Sequence, residues 1–234
     1  MLRLGKLAGL ALGSFFPRQC VGCGKVGQFL CSACIKEMPR LLPPLCPHCG
    51  RPQASGIVCA SCQQMPGEID GIRSPFKFDQ VIRKAIHELK YRSVRAMSPC
   101  LAELLADYVR SNPLPGEALV CVPLHPRRLR ERGYNQSALL ARDLGKCIGL
   151  PVIEDCLLRV KQAKPQVRAA DVEERRRNVA DAFVCRAEKV TGKQIILIDD
   201  VCTSGATLES CAVALKKGGA KSVWGLTLAR EIYN

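Results

Sequence analysis

Ile195-Ile196-Leu197-Ile198-Asp199-Asp200-Val201-Cys202-Thr203-Ser204-Gly205-Ala206-Thr207-Leu208 is the most strongly patterned stretch of the 234-residue chain. Four consecutive apolar residues predict a strand buried on both faces. Two carboxylates follow at its C-terminal end, where open α/β sheets bind ligands. Thr203–Thr207 then opens a helix, whose first N–H groups and dipole favour an anion. Gly205 lets the backbone approach a phosphate closely, and Thr203, Ser204 and Thr207 add hydroxyl donors. The candidate binding residues are therefore Asp199, Asp200, Thr203, Ser204, Gly205, Ala206 and Thr207. They combine acceptors suited to ribose hydroxyls with a cradle suited to a monophosphate. An ordinary strand and capped helix has no need of two adjacent acids followed by T-S-G-A-T.

Outward from this segment, strands and helices alternate. Ala206–Lys217 reads as a helix stopped at Gly218-Gly219, and Ser222–Leu228 as a last strand that includes Trp224. On the other side, Ala118–Val122 is a short apolar strand, His125–Gly133 a basic loop, Asn135–Ile148 a helix and Leu157–Val160 a strand. Residues 161–178 are polar and basic, read as a loop and short helix. This alternation predicts a parallel sheet flanked by helices. Further upstream, Ser74–Phe78 reads as a strand. Asp79 could cap a helix to Arg92 with Val81, Ile82, Ala85, Ile86 and Leu89 on one face. A second helix runs from Pro99 to Arg110.

Eight of the 15 cysteines form four C-x-x-C pairs: Cys20/Cys23, Cys31/Cys34, Cys46/Cys49 and Cys59/Cys62. A thiolate pair two residues apart can hold one edge of a tetrahedron around zinc, and a second pair completes it. Two structural Zn2+ sites are expected, each closed by four thiolates, with sequential pairing favoured over a cross-brace. Gly22, Gly24 and Gly50 sit where knuckle turns want positive φ, and His48 reads as a solvated loop residue. The odd total and the seven cysteines scattered among apolar segments argue against a disulfide framework. They read as buried hydrophobes or free thiols, kept reduced in the cytoplasm, where the chain is placed.

The formal net charge is +14, which favours polyanionic partners. Eight thiolates and two zinc ions would bring it to about +10. Residues 1–16 mimic a signal peptide, but no clean cleavage site follows, and an N-terminal amphipathic helix is expected instead. No uncharged apolar run reaches about 20 residues, so no membrane span is expected. Three segments result: the helix at 1–16, a double zinc ribbon at 17–64 and an α/β domain at 65–234.

The segment from Ile195 to Leu208 resembles the phosphoribosyl-pyrophosphate (PRPP) motif of type I phosphoribosyltransferases. The resemblance implies that Asp199 and Asp200 hold ribose hydroxyls, that Thr203–Thr207 hold the 5′-phosphate, and that Mg2+ accompanies PRPP. Enzymes of that family acting on 6-oxopurines carry an aspartate where Thr203 stands, so hypoxanthine or guanine salvage is disfavoured. Together with the cysteine pairs, His87–Arg92 (HELKYR), Val122–Gln136 (VPLHPRRLRERGYNQ) and Glu174–Asn178 (ERRRN) resemble the ComF/GntX family, associated with DNA uptake and competence. By this resemblance Leu124–Arg128 binds pyrophosphate. Arg127 and Arg128 are the cationic contacts, since planar guanidinium forks suit its oxygens. Lys90 is a weaker candidate, and His125 is disfavoured as a catalyst. Residues 161–178 match the mobile loop that closes over PRPP, with Gln166, Arg175 and Asn178 on the family pattern.

Two functions fit these residues. One is transfer of phosphoribose from PRPP to an acceptor, with no catalytic residue legible. The other is non-catalytic binding of single-stranded DNA, with the PRPP site as a sensor or phosphate site and competence-machinery proteins as partners. Residues 125–178 hold thirteen Lys/Arg against seven Asp/Glu, an excess that favours phosphates without sequence choice. Aromatics are only 5%, so base-stacking platforms are scarce. A purely structural zinc adaptor leaves Asp199 and Asp200 unexplained.

Overall fold

The structure is a computed structural model, described over residues 18–64, 67–91, 95–160 and 182–232. The expected helix at 1–16 and the 161–178 segment lie outside the described residues. The central sheet contains β1 (Gly71–Arg73), β2 (Phe76–Lys77), β3 (Ala118–Cys121), β6 (Gln194–Cys202) and β7 (Ser222–Arg230). Its order is β1-β7-β6-β3, with β2 also on β7, and every pairing is parallel. Side chains alternate along β6. Ile196 and Ile198 enter one core with Leu101, Leu105, Leu140 and Leu144, while Ile195 and Leu197 enter the other with Leu208, Leu215 and Val223. Both faces are buried, which is why β6 reads as a continuous apolar run rather than an alternating one.

The first core is built by α3 (Gln80–Tyr91), α4 (Ser98–Ser111) and α6 (Gln136–Ile148), following α1 (Ser32–Lys36) and α2 (Ala60–Gln64) in the cysteine region. The second is covered by α7 (Ala206–Lys217) and by the antiparallel pair β4 (Leu157–Arg159) and β5 (Phe183–Cys185). Three expectations change here. The strand expected at Ser74–Phe78 is only the short β2 at Phe76–Lys77, and β1 at Gly71–Arg73 lies upstream of it where no strand was expected, the two being separated at Pro75, which lacks the N–H a ladder needs. The strand at Leu157 leaves the parallel sheet and pairs antiparallel with β5, which the alternation had not indicated. The basic loop His125–Gly133 is a helix, α5 (Pro126–Arg132). Pro126 occupies its first turn, His125 Nδ1 accepts from Arg127 N at 3.2 Å, and Gly133 stops it at φ 77°.

The cysteine region is docked on the sheet edge. Ile72 N of β1 donates to His48 O at 2.6 Å, and Arg73 Nη1 donates to Pro47 O at 2.8 Å. Pro39 and Leu41 bond β2 and Pro75 in the same way. The otherwise open edge of a parallel sheet is thereby covered. Gly50 lies at this contact with φ 70°, and a Cβ there would overlap the Ile72 carbonyl oxygen. Left-handed backbone costs a side chain about 1–2 kcal/mol, and overlap in a packed contact about 1–3 kcal/mol. Gly50→Ala is expected to lower stability by about 2–4 kcal/mol by these two effects. Urea unfolding checks this, and a change below the urea extrapolation error would contradict the docking.

Candidate functional site

The carboxylates of Asp199 and Asp200 sit inside the last turn of the ladder rather than beyond it, since β6 runs on to Cys202. Each is held from a different helix. Lys90 Nζ, near the end of α3, lies 2.8 Å from Asp200 Oδ2. Ser137 Oγ, at the start of α6, donates to Asp199 Oδ1 at 2.8 Å, and Asp200 N donates to the same oxygen at 2.9 Å. Both helix ends are fixed in turn. Asn135 caps α6 through Ser137 N at 3.0 Å and donates to Val122 O at 2.9 Å. The buried Tyr134 hydroxyl donates to Leu89 O, anchoring the end of α3 beside Lys90.

Burial and the adjacent Asp200 raise the Asp199 carboxyl to about 7, against the pull of Ser137, the Asp200 N–H and Lys90. The Asp199 carboxylate, poorly solvated and beside Asp200, is disfavoured unless more positive charge arrives. The pair is thus poised for a cation or for hydroxyl donors.

These acids floor a cavity of about 350 Å³, walled by Lys90, Leu124, Arg128, Arg159, Thr203 and Thr207. The structure therefore gathers Asp199, Asp200, Thr203, Thr207, Arg128 and Lys90 around one space. Ser204, Gly205 and Ala206 form the turn between strand and helix, with Gly205 at φ 86° as the N-cap of α7. Arg127 is exposed and turned to Glu131 at 2.9 Å. His125 serves as the cap of α5. Ser137, Gln136 and Arg159 line the cavity without having been singled out in the sequence. Only the cap pattern Asn135-Gln136-Ser137 could have drawn attention to Ser137.

The eight paired cysteines gather sequentially, Cys20, Cys23, Cys31 and Cys34 in one group and Cys46, Cys49, Cys59 and Cys62 in the other. Within each group all Sγ atoms lie within 4.8 Å of one another. The Cys23–Cys31 and Cys49–Cys59 separations are both 3.7 Å. A tetrahedron with Zn–S bonds near 2.3 Å has edges of about 3.8 Å, so these groups fit zinc. Cys31 N donates to Cys20 Sγ and Cys59 N to Cys46 Sγ, both at 3.4 Å. Burial raises the Cys20 and Cys46 thiols, and backbone N–H donors outweigh it, bringing both to about 6. Gly24 and Gly50 have positive φ as expected, but Gly22 does not. It is small for another reason, since a Cβ there would stand 2.6 Å from Cys34 Sγ and 3.1 Å from Val81 on α3. His48 lies outside both groups.

Residues 11–63 match the double zinc ribbon domain family and residues 149–231 the phosphoribosyl transferase domain family. The chain is 32% identical over 210 residues to DNA utilization protein YhgH of Salmonella typhi, covering 87% of this chain and 91% of that protein. It is 31% identical over 232 residues to Competence protein F of Haemophilus influenzae, covering 92% and 99%. The chain belongs to the ComF/GntX family. Among solved structures, glutamine PRPP amidotransferase from B. subtilis matches with TM-score 0.40 and 19% identity, over 57% of this chain and 26% of that one. Among the described residues no helix is long and apolar enough to cross a membrane.

For this member of the ComF/GntX family, protein purified without chelator is expected to carry two zinc ions, one per cysteine group. Elemental analysis giving one or fewer per folded chain contradicts the two-site assignment.

Proposed function

We propose that this protein binds PRPP with Mg2+ in the cavity above Asp199 and Asp200, and that it does so in the cytoplasm as part of the handling of imported DNA or nucleotides. The observation that carries this reading is the convergence of two neighbouring acids, Thr203 and Thr207 at the two ends of the turn, and the Arg128 and Lys90 cations on one cavity. Asp199 and Asp200 accept from the ribose 2′- and 3′-hydroxyls. The N–H groups and hydroxyls of Thr203–Thr207 surround the 5′-phosphate at the start of α7. Arg128 takes the pyrophosphate, and Lys90 shares its charge between Asp200 and the same anion. Mg2+, held at the Asp199 and Asp200 end of the cavity, would supply charge neutralisation for the pyrophosphate. Transfer of the phosphoribosyl group to an acceptor would draw its rate from positioning and charge stabilisation by these residues.

Asp199→Ala/Asp200→Ala is expected to abolish PRPP–Mg2+ binding in calorimetry, and unchanged binding rejects the site. Proton linkage gives a second measurement. The folded pKa of Asp199 is raised to about 7, so its contribution to stability is present below the ordinary carboxylate range and is lost as pH rises through about 7. A ligand that favours the carboxylate must therefore expel the proton. Binding at pH 6 should release nearly one proton, falling towards nil above pH 8. The phosphate group also titrates near pH 6, so Asp199→Asn is the control that should remove the Asp199 share. Buffers of different ionisation enthalpy measure it, and equal proton release by the parent and Asp199→Asn proteins removes Asp199 from the site.

A second reading, binding of single-stranded DNA without catalysis, is favoured by α5. This seven-residue helix carries Arg127, Arg128, Arg130 and Arg132, of which Arg128 lines the cavity. A DNA strand would be held through its phosphates on these arginines. Its 3′-phosphodiester would be repelled by Asp199 and Asp200, so only a terminal nucleotide suits the cavity itself. Affinity for oligothymidylate should then fall steeply with salt, by about 10-fold or more between 50 and 200 mM if several phosphates are neutralised. A flat salt response in fluorescence anisotropy rejects this mode.

A further inference from the structure

A buried cation stands where the second cysteine group meets the turn that follows β6. Arg230 ends β7 and is 1% exposed. It is the direct ladder partner of Cys202 on β6, and its Nη1 donates to Cys202 Sγ at 2.9 Å. Its Nε has no hydrogen-bond partner, and no carboxylate pairs with it among the described residues. A guanidinium buried without a counter-charge is costly, so negative charge is required nearby.

The neighbouring crevice supplies it. A space of about 170 Å³ is bounded on one side by Arg51, Cys49 and Cys62 of the second ribbon, on the other by Ser204 and Gly205, with Arg230 also lining it. Zinc held by four thiolates leaves two net negative charges. Arg230 therefore stands between a metal-thiolate anion and the strand end from which Thr203–Thr207 departs. A second, apolar contact runs in parallel. Ile72, bonded through its N–H to His48 of the same ribbon, presses on Gly205, where a Cβ would come within 3.2 Å of Ile72 Cδ1. The first ribbon packs instead against α3 near Val81.

We propose that the second four-cysteine site buttresses the 203–207 turn, with Arg230 as the positioning residue that couples them, so that metal loss from this ribbon loosens the turn and weakens phosphoribosyl binding. The ligand half of this statement rests on the PRPP reading; the loosening of the turn does not. In the metal-free ribbon Arg230 loses its counter-charge, and the contact holding Cys202 and Gly205 is relieved.

The full chain, loaded with zinc, tests this by amide hydrogen exchange across 202–208 and by calorimetry with PRPP and Mg2+. Arg230→Met and Cys59→Ser are each expected to speed exchange in 202–208 at least 10-fold and to weaken PRPP at least 10-fold. Arg230→Lys, which keeps the charge, should recover part of both. Cys31→Ser, which opens the first ribbon, should change exchange in 202–208 at least 10-fold less than Cys59→Ser does. Should Cys59→Ser not fold, Arg230→Met with its lysine counterpart carries the comparison. Unaltered exchange in Arg230→Met, or equal loosening by Cys31→Ser and Cys59→Ser, overturns the coupling. If the parent protein binds no PRPP while exchange responds as expected, the coupling stands and the PRPP reading falls. If PRPP binds and exchange does not respond, the reverse holds.

Discussion

Placing two carboxylates side by side at the buried end of β6 sets a demand that much of the surrounding structure meets. One acid takes Lys90 from α3, and the other takes Ser137 from α6. These helices are separated in sequence by α4, β3 and α5, yet both must deliver a polar group to the same strand end within hydrogen-bonding distance. Tyr134 and Asn135 make this reproducible. Tyr134 ties the end of α3 to the segment entering α6, and Asn135 ties that segment to Val122 at the end of β3. The acids remain only partly compensated, as the raised Asp199 shows. Residual destabilisation of this kind is characteristic of sites that await a ligand.

The cysteine groups answer a different problem. A parallel sheet ending in the three-residue β1 and two-residue β2 offers little edge pairing of its own. The second ribbon supplies backbone partners at His48 and Pro47, and the chain between the ribbons supplies them at Pro39 and Leu41. A segment rich in proline and glycine has too few apolar residues to hold that shape unaided. Metal binding replaces the missing core, because the binding free energy of a tetrathiolate zinc site is folding free energy. The ribbons are thus part of the wall that positions the sheet rather than an appended tail.

Features whose determinants are local were readable in the sequence. The bounds of α7 follow from T-S-G-A-T at one end and Gly218-Gly219 at the other. The burial of β6 on both faces follows from four successive apolar residues, and sequential cysteine grouping from the C-x-x-C spacing. Features set by distant partners were not readable. Leu157–Arg159 has an apolar start that suits either sheet, and only pairing with Phe183–Cys185 makes it antiparallel. The arginine-rich 126–132 segment reads as a solvated loop when charge is weighed alone. Arginine is also a good helix former, and Pro126 and Gly133 bracket one short helix. Ser137 carries no chemical signature, since a serine in a first helical turn is ordinary until the fold sets Asp199 opposite it.

The formal charge is similarly uninformative until its cations are placed. Several are paired internally away from the cavity: Arg142 with Glu154, Arg110 with Glu103 and Asp107, and Lys216 with Asp70. Arg230 is buried beside the second ribbon. On α5 only Arg127 is spent on a carboxylate, while Arg128 and Arg130 form no ion pair among the described residues. Ion pairs cancel within the net figure and leave it unchanged. Next to the two acids, Arg128 of this short helix lines the cavity that they floor. On the proposed reading, attraction for a polyanion and recognition of a phosphoribosyl group share that cation, so occupancy of the cavity and binding along α5 would be energetically coupled.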